Sequence, residues 1–177
     1  MRKIGLILSF LIPALVFVVV AVFMGGCESK EIAKAEENKA VIRRFIEAIN
    51  NRDLDLLDEL MTPDFVRHSQ ATPNVQVRSR GDFKRFVQRD LTTFPDAAIT
   101  IEMLVAEGDM VGFYGTFAGT QEGQMGPFPP SRKRMEVEMG AIFRLEGGKI
   151  AELWVTWDNV AGLTQLGHFS PPGEDQE

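Results

Sequence analysis

The sequence changes its period once, at Phe94-Pro95-Asp96. Ahead of that point apolar residues recur every three or four positions; beyond it they recur every second position. The first spacing puts side chains on one stripe of a helix, the second on one face of a strand. A chain patterned in this way lays down helices first and a run of strands after, which is the α+β class.

From Ser29 to Asn51 strong helix formers carry Ile42, Phe45, Ile46 and Ile49 on one stripe, with a charged first half suited to a stalk. Asp53 can cap a short helix bearing Leu54, Leu57, Leu60 and Met61, which Pro63 should stop. Gly81-Asp82 leads into a third helix with Phe83, Phe86, Val87 and Leu91 on one side. Beyond Pro95, the residues Ile99, Ile101, Met103 and Val105 share one parity, and Glu107-Gly108-Asp109 turns that strand into MVGFYGTFAGT. A Gly/Pro loop from Gln121 to Lys133 precedes alternating Met135, Val137, Met139, Ala141, Phe143 and Leu145, and Glu146-Gly147-Gly148-Lys149 makes a second tight turn. The last strand, IAELWVTWD, runs into a short apolar segment, NVAGLTQLG.

The opening MRKIGLILSFLIPALVFVVVAVFMGGC has Arg2 and Lys3 and then no charge up to Cys27, which reads as an export signal over residues 1–26. Met24-Gly25-Gly26-Cys27 resembles a bacterial lipobox, which makes Cys27 the expected lipidation site. The run is also long enough to stay as an N-terminal membrane anchor. Either way the domain is expected to be exported and tethered to the outer face of a bacterial membrane. Residues 27–36 then form a tether, 37–167 the domain and 168–177 a flexible tail. What remains after the signal is about 150 residues, enough for one core and too few for two.

The net charge is −6, and the charges in the signal are basic, so the rest is more acidic still. That gives no reason to expect nucleic acid as a partner. The lone cysteine, if lipidated, leaves no thiol for disulfides or catalysis. His68 and His168 are far apart with no second histidine near either, and there is no Walker loop or GxGxxG, so neither a metal site nor a cofactor is expected.

In the last strand Glu152, Trp154, Thr156 and Asp158 point to one face and Ala151, Leu153, Val155 and Trp157 to the other. The second face is wholly apolar, yet three helices can cover only one side of the sheet, so that face is expected to meet a second copy of the chain. Asp158 leaves two readings open. It can cap the segment beginning at Asn159, or it can sit poorly solvated beneath aromatic rings, which makes a carboxylate a stronger base. His68 is either a partly exposed structural histidine or a site residue, and Trp154 and Phe113 are either core or pocket wall.

The pattern Asp64-Phe65-Val66-x-His68, Phe94-Pro95-Asp96, Ala106-Glu107-Gly108-Asp109-x-Val111, Gly119-Thr120, Pro129-Pro130, Gly148-Lys149-Ile150-x-Glu152-x-Trp154-x-x-x-Asp158 and Gln165-Leu166-Gly167 resembles the SnoaL-like polyketide cyclases and ester cyclases of the nuclear transport factor 2-like superfamily. The resemblance covers roughly residues 37–167. It implies a cone-shaped α+β barrel in which a curved antiparallel sheet wraps a pocket closed by the N-terminal helices, with homodimers formed through the sheet. It also implies a metal-free aldol-type ring closure on a small apolar carbonyl compound. Asp158 matches the family's general acid/base and His68 a histidine facing the same pocket, with Trp154 and Phe113 as walls. Two departures stand out: Gln121 opens a loop that begins with histidine in relatives and so becomes a candidate ligand contact at the mouth, and Ser131-Arg132 replaces a common Thr-Gly. A non-catalytic lipoprotein that holds or senses an apolar molecule, and an assembly module docking through its sheet, are the competing readings.

Overall fold

A computed structural model describes residues 30–170. The expected signal, Cys27 and most of the expected tail lie outside the described residues. Among the described residues no helix is long and apolar enough to cross a membrane.

Helix α1 covers residues 30–50; its first turns are exposed, and its stripe of Ile42, Phe45 and Ile46 is buried. Asp53 then accepts a hydrogen bond from the Leu56 backbone N–H at 3.3 Å, as its capping chemistry suggests. The short helix that follows is only α2, Leu57–Leu60. Met61 is already in strand β1, Met61–His68, so Pro63 does not stop a helix but stands inside a strand. It is tolerated because β1 is an edge strand whose pairing is irregular between Met61 and Val66. Helix α3, Arg80–Thr93, starts at Ser79, whose hydroxyl accepts from the Asp82 N–H, while Asp82 in turn accepts from the Arg78 N–H.

The remaining strands are β2, Ala98–Glu107; β3, Met110–Thr120; β4, Arg134–Glu146; and β5, Lys149–Trp157; helix α4, Asn159–Leu166, follows. Sheet order is β1-β5-β4-β3-β2. The meander β2 to β5 is antiparallel, and β1 lies parallel to β5, so the sheet is mixed and open rather than wholly antiparallel. The β4–β5 turn uses Gly147 and Gly148 at φ 56° and 77°, where a two-residue hairpin needs the left-handed region twice. Arg132 also takes φ 58°, a left-handed conformation that favours glycine over a residue with a side chain.

The β2–β3 ladder is interrupted at one place. Pairing of β2 with β3 shifts between Ile101 and Met103, and opposite the shift a Cβ on Gly115 would stand 2.1 Å from the Thr100 carbonyl oxygen and 2.5 Å from the Phe113 ring. Only glycine lets the bulged strand come that close while Phe113 lies across it. The helices cover one face of the sheet. Phe45 of α1 stacks on Phe83 of α3 at 5.5 Å and meets Phe143 of β4 edge-on at 5.7 Å, joining helix, helix and sheet.

Candidate functional site: an apolar cavity with two facing charges

Between the helices and the sheet lies a cavity of about 770 Å³, within the size range of small-molecule sites. Phe83 and Phe86 of α3, Phe113 of β3 and Leu153, Val155 and Trp157 of β5 are among its walls. Residues 71–75, after β1, and 124–128, between β3 and β4, complete it. Phe113, one of the two aromatic residues expected as walls, is among the residues that line this cavity.

The face of β5 that lines the cavity is the reverse of the expected one. Leu153 and Val155 are buried with Trp157 beside them, while Trp154 and Thr156 are exposed on the outer side. The all-apolar face is the one that the helices cover, and charged Glu152 keeps the other face wet. Trp154 is thus not a wall of the cavity. His68 goes with it, because β1 runs parallel to β5 with His68 opposite Trp154 and Arg67 opposite Leu153. On the outer face His68 stacks on Trp154 at 4.8 Å, and its Nε2 is 2.9 Å from Glu152 Oε2. Glu152 also accepts from Arg144 Nε at 2.8 Å. Hydrogen bonds from His68 and then Arg144 hold the Glu152 carboxyl below its ordinary range.

Gln121 is not at the mouth either. It is fully buried, donating Nε2 to the carbonyls of Gly123 and Pro129 at 3.2 and 3.1 Å, while its Oε1 pairs with His168 Nε2 at 2.7 Å. His168 stacks on Phe128 at 4.8 Å, so the expected flexible tail begins with a packed residue. Together they fasten the 121–133 loop, including the cavity-lining Phe128.

Asp158 is the N-cap of α4: its Oδ1 accepts from the Ala161 N–H at 2.9 Å. It is exposed rather than sealed beneath aromatic rings, although its neighbours Trp157 and Asn159 both line the cavity. At the other end of α4, Gln165 accepts from the Glu136 N–H at 2.7 Å and donates to the Glu136 carbonyl at 2.9 Å, pinning the helix to β4.

Two charged residues that sequence reasoning passed over face the cavity instead. Asp90 continues the apolar stripe of α3, falling at the position between Val87 and Leu91 where a core residue is due. Asp90 is half-buried in the largely apolar cavity wall, and desolvation there pushes its carboxyl up to about 6 against the opposing pull of Arg89 and Arg67. Arg67 shares the inward parity of Phe65 on β1 and is only 7% exposed. Its Nη1 donates to Thr72 Oγ1 at 2.9 Å, and its guanidinium lies over the rings of Phe86 at 4.6 Å and Trp157 at 5.8 Å. Burial lowers its pKa from the ordinary value, with Asp90 opposing the shift. The available signal was a charged residue on an apolar stripe, in a helix for Asp90 and in a strand for Arg67.

Residues 39–166 match the family model of the SnoaL-like polyketide cyclases. Among solved structures, IdmH from Streptomyces antibioticus is 32% identical over 73% of this chain and 98% of its own, with a TM-score of 0.66. TsrD from Streptomyces laurentii is 28% identical over 76% and 97%, at 0.68. A SnoaL-like protein from Jannaschia sp. CCS1 shares the fold at 24% identity over 77% and 95%, at 0.69. No curated protein matches the chain.

Proposed function

The chain belongs to the SnoaL-like polyketide cyclase family, and on that premise we propose that it binds a small apolar carbonyl compound in the cavity and moves a proton on it. The reaction class is a metal-free aldol-type cyclisation or an isomerisation, carried out by an exported and membrane-tethered domain. One observation carries the chemistry: the Asp90 carboxyl lies in the wall of a largely apolar cavity, where desolvation pushes it up to about 6. Such a group is ionised at neutral pH yet basic enough to take a proton next to a carbonyl, and the substrate itself spreads the resulting charge as an enolate. Asp158, to which the family pattern points, is the second candidate. One of its oxygens caps α4, while the other accepts no hydrogen bond from the described residues.

Incubating the full chain with a metabolite extract, and identifying bound and converted compounds by mass spectrometry, separates these roles. In Asp90→Asn the bound compound should persist while conversion falls by about 10²–10⁴. Asp158→Asn keeps a good helix cap and should retain most of the conversion. The reverse outcome would move the base to the end of β5. A wild type that binds without converting would leave a holding or sensing protein.

The same proposal places a second copy of the chain on the outer sheet face. There Met103, Val105, Ile142, Tyr114 and Trp154 are exposed, an apolar group edged by Glu102, Glu138 and the His68–Glu152–Arg144 cluster. Sedimentation equilibrium should give a dimer that Ile142→Glu weakens; a monomer at every concentration reached would remove this part. Recovery of the full chain in a soluble cytoplasmic fraction would remove the tether.

A further inference from the structure

We propose that Arg67 is an anion-binding subsite on the inner wall of the cavity, and that the ligand is an apolar molecule bearing a carboxylate. The proposal rests on the reading of the cavity as a ligand site and names the chemical class that this site selects.

A guanidinium has five N–H donors in a planar fork. Among the described residues the Arg67 side chain makes one hydrogen bond, to Thr72, and it closes no ion pair with Asp90. Taking a cation out of water is costly unless its donors are engaged. The faces of Phe86 and Trp157 hold the group in place and offset part of that cost, but they occupy none of its in-plane donors. What remains is a pre-positioned fork at the wall of an apolar space, matched to a planar pair of oxygens. If β1 needed only a filler here, its inward parity would be served by another apolar residue like Phe65.

Asp90 gives the subsite a second property. The titratable residues lining the cavity are Arg67, Arg89 and Asp90; the 71–75 and 124–128 segments, β5 and α4 contribute none. A bound anion repels the Asp90 carboxylate, so anion binding is coupled to proton uptake there. Affinity for anions should therefore weaken as pH rises through the range in which Asp90 ionises, while affinity for neutral ligands should not.

The probes are 2-naphthoate and its neutral isostere 2-naphthamide, titrated calorimetrically into the full chain in detergent. Wild type is expected to bind the carboxylate about tenfold or more tighter than the amide near pH 5, with the gap narrowing toward pH 7.5. Arg67→Gln should erase the preference and leave amide binding in place; Arg67→Lys should restore part of it. Equal binding of both probes by wild type, or an unchanged preference in Arg67→Gln, overturns the subsite while leaving the cavity reading intact. Binding of neither probe to wild type removes both. Should Arg67→Gln fail to fold, the comparison of wild type with Asp90→Asn decides: a pH-dependent preference in the first and a flat one in the second supports the subsite, and no carboxylate preference in either rejects it.

Discussion

Asp90→Asn is expected to stabilise the fold at neutral pH by about 3 kcal/mol. The carboxyl has its ordinary value of 3.8 in the unfolded chain and about 6 in the folded one. Below about pH 3 it is largely protonated in both states and contributes almost nothing. Between about 4 and 6 the unfolded chain releases its proton while the folded chain keeps it, so stability falls as pH rises. Above 6 both states are ionised and the folded state carries the full deficit. Urea unfolding of wild type and Asp90→Asn should therefore give curves that come together toward about pH 3 and diverge up to about pH 7. The carboxyls of Glu152, Asp82 and Asp96 are shifted downward, with stability lost as pH falls, but they are common to both proteins and cancel in the difference. A gap that does not change with pH would show that Asp90 titrates normally. Combined with lost conversion, the gain in stability is the signature of a group kept for what it does and not for the fold.

The largest loss is expected from Phe45→Ala, about 3–5 kcal/mol by urea midpoint at unchanged slope. This ring is 2% exposed and touches Phe83 and Phe143, so its removal unties α1 from both α3 and the sheet. Because Phe45 also lines the cavity, the space it leaves joins an existing void and cannot be refilled by small shifts of its neighbours. A loss under about 1 kcal/mol would mean that α1 is held by other residues.

The helix stripes, the hairpin turns and the change of period at Pro95 were legible because each is a local property of the chain. Which face of β5 looks inward was not. Parity divides Trp154 from Trp157 with certainty, but only the covering helices decide which set is core, and the all-apolar set went to them. That one reversal carried Trp154 and His68 to the outer face together, since β1 pairs with β5 in register. Pro63 misled for a related reason: it ends helices, yet an edge strand with irregular pairing accepts it. Asp158 shows how one motif can serve two readings, because a carboxylate after a strand is both a good cap and a plausible base. Asp90 and Arg67 were overlooked because a charge on a core stripe looks like an interruption of the pattern. In a fold with a cavity, such an interruption is where polar chemistry enters.

The parallel pairing of β1 with β5 also governs when the cavity can come into being. The hairpins β2–β3 and β4–β5 close over short turns, but Arg67 lies beside Leu153, a neighbour separated from it by most of the domain. Closing that loop costs chain entropy before any contact compensates for it, so such pairings form late and slowly. The wall that carries Arg67 is therefore completed only after the C-terminal strand has arrived. During that interval the faces of β4 and β5 that will line the cavity stay open to unwanted partners, which is the hazard of any slow, non-local pairing.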